Sequence, residues 1–78
     1  MDTPDELAAL REDVLSRINR TMLGCSARGV SLLQRVERAV IRSDEVLAEV
    51  AALRGLRPSE GLFNGMEAIL RDHPGADR

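Results

Sequence analysis

Apolar residues recur every three or four positions from Leu7 to Leu53, and one stretch of mostly small residues, Gly24-Cys25-Ser26-Ala27-Arg28-Gly29, interrupts them. The spacing is that of α-helix, so the interruption decides the architecture. Two glycines five apart can make a turn that folds one helix back on the next, because Gly takes positive φ freely and ends helices. They can equally mark a close crossing point within one longer helix. Ser31 followed by Gln34 has the form of a capping box, which restarts a helix after Gly29 and supports the turn. The phase of the stripe supports continuity, since Leu7, Ile18, Gly29 and Val40, each eleven apart, fall at nearly one angle. The sequence therefore predicts an all-α protein, either a helical hairpin or one long helix bent near Gly24-Gly29. A short third helix is added, and the whole associates into a helical bundle.

Thr3 opens the first helix, with Pro4 at its first position and Glu6 closing a capping box. Leu7, Leu10, Val14, Ile18, Met22 and Cys25 follow on one face, with Leu15 beside them. A strict heptad would put Arg17 and Thr21 in the seam, so the stripe follows a straight helix and not a supercoil. Arg11 falls near the middle of this face, where it must reach water or meet a carboxylate from another segment. The second stripe runs from Leu32 to Leu53; Ser43-Asp44 is a weak break signal, because no Glu or Gln stands three positions on. Gly55-Leu56-Arg57-Pro58 is a strong stop, with Gly55 expected as a left-handed cap. A third helix follows from Pro58 or Ser59 to about Asp72, with Leu62, Phe63, Met66, Ile69 and Leu70 on one side. Gly61 and Gly65 weaken it, so it is expected to form only when docked. Pro74 and Gly75 forbid further helix, and residues 73–78 are expected to fray.

The 78 residues make one small domain, 1–78, of a size at which a single core rarely supplies more than about 3–5 kcal/mol unaided. Cys25 and His73 are the only residues of their types, so an internal disulfide is impossible and a structural zinc site lacks ligands. Stability is therefore expected from unusually good helix packing or from association, as a homo-oligomer, with a dimer favoured, or with a partner protein. Neither an apolar signal region nor an apolar run of about 20 residues is present, so the reading is a cytoplasmic protein with no membrane span.

Charge is segregated. Arg17, Arg20, Arg28, Arg35, Arg38 and Arg42 face Glu37 alone between Val14 and Ser43, while both flanking segments are acidic. On a helical wheel these arginines project to one side, as a solvated face or as a docking surface for a nucleic acid, an anionic lipid or an acidic partner. Leu23, Val30 and Ile41 lie off the main stripe on nearly one line, the arrangement of a protein contact. The candidate interaction residues are thus Leu23, Val30, Ile41, Arg35, Arg38 and Arg42.

No catalytic, cofactor-binding or metal-ligating constellation is legible. One Cys and one His in unrelated segments make no nucleophile and base. Glu45 and Glu49, four apart, lack the Glu-x-x-His that would accompany them in a dimetal site. With no Tyr or Trp to stack on bases, nucleic-acid binding ranks second. The function expected is that of a non-enzymatic helical interaction module, an adaptor, escort or regulatory subunit. A nucleic-acid-associated regulator and a structural subunit of a helical assembly are the alternatives.

Overall fold

The computed structural model describes residues 4–78, which form α1 (Pro4–Met22), α2 (Ala27–Arg42), α3 (Asp44–Ala52), a 3-10 turn (Pro58–Glu60) and α4 (Leu62–Asp72). α1 begins at Pro4; Thr3, the expected cap, lies outside the described residues.

The small-residue stretch is a turn, and the hairpin is the architecture adopted. α1 unwinds through three i→i+3 bonds, from the N–H groups of Leu23, Gly24 and Cys25 to the carbonyls of Arg20, Thr21 and Met22. Neither Gly24 nor Gly29 has positive φ. α2 then starts at Ala27, ahead of the expected Ser31-Gln34 box, leaving Gly29 inside the helix. Its role there is proximity: a Cβ at Gly29 would stand 3.1 Å from Cys25 Cβ and 3.7 Å from the Phe63 ring, so hydrogen lets the turn and α4 close on α2.

The second stripe is not one helix. Ser43 takes an extended conformation (φ −130°, ψ 120°) and its hydroxyl accepts from the Val46 N–H at 3.2 Å, capping α3. Its own N–H still donates to Ala39 O, closing α2. One serine thus ends one helix and starts the next, with no N3 carboxylate. The left-handed residue in the following connection is Gly61 (φ 92°), between the 3-10 turn and α4, and not Gly55.

Contacts between distant residues give each helix its sense. Arg11 of α1 meets Val40 and Asp44, whereas Arg17 and Thr21 line a cleft with Arg54 just beyond α3. Phe63 at the start of α4 lies over Gly29, and Arg71 near its end shares a cleft with Arg35. The helices therefore alternate up, down, up, down. α2 and α3 form the middle of the bundle and each touches the other three, while α1 and α4 keep their backbones apart and meet only where Ile18 and Thr21 line a small cavity with Leu62 and Met66.

This arrangement buries Val14, Ile18, Leu33, Val36, Ala39, Val40, Val46, Leu47, Val50, Met66 and their neighbours in one core. The long stripe, for which the sequence leaves either good internal packing or association open, is covered within the chain, by α3 and α4 folding back on the hairpin. The radius of gyration, 11.8 Å, is what a compact chain of this length has, about 11–12 Å. Arg11, in mid-stripe, is half-buried; its Nε donates to Val40 O at 3.1 Å and its Nη2 pairs with Asp44. That satisfies one of the orphan carbonyls at the end of α2. Gly65, which weakens α4 as an isolated helix, faces Leu53: a Cβ there would come within 2.8 Å of Leu53 Cδ1, so a larger residue would require that side chain to turn.

Candidate interaction surface

α2 turns its apolar side inward, which leaves its arginine side against α4 and the C-terminal tail. Between α2 and α4 runs an open cleft of about 480 Å³, floored by Leu32 and Leu70 and walled by Arg28, Ser31 and Arg35 from α2 and Glu67 and Arg71 from α4. The helical period explains the wall: Arg28, Ser31 and Arg35 are three and four apart, as are Glu67 and Arg71. Arg28 and Arg71 are exposed, and among the described residues neither forms an ion pair with a carboxylate.

Arg35 and Arg38 are engaged by the tail. The tail, which sequence reading expects to fray, lies against α2 and α3. His73 sits between two carboxylates of α3, Glu49 on Nε2 and Glu45 3.8 Å from Nδ1. Gly75 (φ 88°) turns the chain, Ala76 packs on the core, and Asp77 reaches α2. Arg35 Nε donates to the Asp77 carboxylate and Arg38 Nε to the Asp77 backbone carbonyl, each at 2.9 Å. The hydrogen bond from Arg35 is the main cause that holds the Asp77 carboxyl below the ordinary aspartate range. Desolvation opposes it, and the Asp77 backbone and the charges of Arg35 and Arg38 add to it.

Of the nominated residues, then, only Arg35 and Arg38 come together. Arg42 closes the last turn of α2, where a cation complements the helix dipole, beyond the cleft. Leu23 is 89 % exposed on the α1–α2 turn and Ile41 55 % exposed at the opposite end of α2. Val30 is half-buried and separated from Ile41 by about 16 Å of helix, so the three form no continuous patch. The line they make on a single long helix is broken when the helix folds. Sequence reading missed Leu70, Arg71 and Asp77. Their only signal was an α4 apolar face with an arginine beside it and one acid in the tail, and neither says which helix they meet.

A second, narrower opening lies on the other side of the bundle. Arg17, Arg20, Thr21 and Arg54 surround a shallow cleft of about 290 Å³. Arg17 is tied to Asp13 one turn away at 3.2 Å. Among the described residues no group of three or more His, Cys, Asp or Glu is placed to hold a metal ion, and no helix is long and apolar enough to cross a membrane. No protein family matches the chain, and neither a curated protein nor a solved structure does.

Proposed function

We propose that this chain is a small cytoplasmic interaction module, an adaptor or regulatory subunit, that binds an acidic segment of a partner protein in the α2–α4 cleft and carries out no catalysis. The observation that carries the reading is the pairing of an apolar floor, Leu32 and Leu70, with a rim of Arg28, Arg35 and Arg71. An amphipathic acidic helix suits both parts: its apolar side chains cover the leucines and its carboxylates meet guanidinium groups, which bind them in forked geometry. Glu67 on the rim offers a partner cation its own counter-charge, and it weakens attraction for a uniformly anionic phosphate backbone. Because one chain covers its own stripe, the reading places the partner on the arginine side and requires no second copy for the core.

Nucleic-acid binding is the second reading, favoured by the Arg17, Arg20 and Arg54 cleft, whose lining contains no carboxylate. Titration of the protein with an acidic amphipathic helical peptide and with a DNA duplex, at low and moderate salt, separates the two. The first reading expects saturable peptide binding with modest salt dependence. Duplex binding that falls steeply with salt, through counterion release, together with no peptide binding, would replace it with the second.

A further inference from the structure

The tail places a carboxylate on Arg35, one of the arginines that line the α2–α4 cleft. Asp77 is presented by a turn of small residues, Pro74-Gly75-Ala76-Asp77, closed by bonds from Ala76 N–H to His73 O at 3.1 Å and from Arg78 N–H to Gly75 O at 3.2 Å. Two arginines one turn apart on α2 read it by different features, Arg35 by its carboxylate and Arg38 by its backbone carbonyl. Together they recognise an acidic residue and the backbone that carries it, which a free anion cannot supply. Arg35 is also part of the cleft wall, so whatever holds Arg35 is felt in the cleft.

We infer that Arg35 and Arg38 form the acid-reading element of the docking surface, selective for an acidic residue whose own backbone carbonyl is free to accept, as at the end of a partner helix, and that the chain's own residues 73–78 occupy it as a built-in competitor. This rests on the interaction reading above and adds the partner's chemistry and its regulation. The competitor is strapped at both ends. His73 ties it to α3 through Glu45 and Glu49, and Asp77 ties it to α2. A tethered segment acts at a high effective concentration, so even a weak contact is mostly made and an external ligand must displace it. The Asp77 carboxylate is charged at neutral pH, as any aspartate is, and the hydrogen bond from Arg35 lowers its proton affinity further. Apparent affinity for an outside ligand falls by the fraction of time the site is open; a tail docked nine-tenths of the time lowers it about tenfold.

The test uses the full chain and, as probe, a synthetic hexapeptide of residues 73–78, His-Pro-Gly-Ala-Asp-Arg, with its Asp→Asn analogue as control. Binding is followed by amide and arginine Nε–H shifts in NMR spectra of the wild type, Asp77→Ala, and Asp77→Ala carrying Arg35→Gln and Arg38→Gln, circular dichroism confirming the fold of each. The expected result is that Asp77→Ala binds the hexapeptide about tenfold more tightly than the wild type, with shifts at Arg35 and Arg38. The Asn analogue and the Arg35→Gln, Arg38→Gln chain lose that binding. Equal affinity in wild type and Asp77→Ala overturns the competitor, as does hexapeptide binding that survives loss of both arginines. If an acidic helical peptide still binds both chains through Arg28 and Arg71, the interaction reading stands without the competitor. If neither peptide binds Asp77→Ala, both readings fall.

Discussion

The two sides of α2 are built from the same sixteen-residue helix under different constraints. Inward, Leu33, Val36, Ala39 and Val40 are at most 1 % exposed and touch α1, α3 and α4, so each is fixed in size and polarity by its neighbours. Outward, Arg28, Arg35 and Arg38 are exposed; packing does not require arginine there, and Gln or Ser would leave the core unchanged. The inner side answers to folding and the outer to whatever meets the molecule, which makes the outer composition the better guide to function.

The largest way to break this contrast is to put a charge on the inner side. Val36→Asp buries a carboxylate with no partner, which costs on the order of several kcal/mol, comparable to the whole stability of a domain this small. Circular dichroism should record loss of helicity or of the cooperative melt. A native melt would mean that the inner side is misassigned. A smaller effect belongs to the junction between α2 and α3: Ser43→Ala removes the cap on Val46 N–H and should lower stability by about 1 kcal/mol, read from the midpoint of a urea transition. An unchanged midpoint would mean that the break at Ser43 is imposed by packing alone.

The outer side responds to pH where the inner side does not. Asp77 has a folded-state pKa below its unfolded value, so its contribution to tail docking is complete above about pH 4 and is lost as pH falls through the lower folded value. The protection of amides across residues 73–78, relative to their intrinsic exchange rate at each pH, should fall over that acidic window in the wild type. In Asp77→Ala that protection should be low at every pH for residues 75–78, while α2 core amides such as Val36 keep theirs. Exchange in the tail that is identical in the two proteins would sever Asp77 from the docking.

How much of this was legible follows from what each feature depends on. α1 and the buried stripe are properties of local period, and Val14, Ile18, Val36 and Val40 could be placed from spacing alone, whereas the turn was one of two open readings, supported by the glycine pair and opposed by the period. The in-phase stripes that suggested one long helix are a coincidence of register, since the turn resets direction without resetting the angle at which apolar residues recur. The Ser43 break was half legible, because a lone serine hydroxyl suffices when packing of α3 on α2 supplies the rest. Left-handed geometry was expected at Gly55 and occurs at Gly61, because α3 ends in i→i+3 bonds through Leu53, Arg54 and Leu56 that need no positive φ. The cleft was legible on its α2 side and not on its α4 side: Arg35 announced itself in a charge run, whereas Leu70 and Arg71 join it only through tertiary docking. Asp77 had no periodic context at all, so its place on Arg35 and Arg38 could be found only in three dimensions.

The smallest effect on stability and the largest on binding belong to the rim itself. Replacing Arg28, Arg35 and Arg71 together with Gln touches no core residue, and although it releases the Asp77 contact of the tail, which Arg38 and His73 still hold, each such surface change is expected to move stability by no more than about 0.5 kcal/mol. The measurement that tests the separation of the two sides most directly is to melt this triple variant and titrate it with the acidic helical peptide beside the wild type. The account predicts coincident melting curves and binding reduced at least about tenfold, the loss of one good charge-assisted contact being enough for that. A variant that melts as the wild type does and binds the peptide equally well would contradict it.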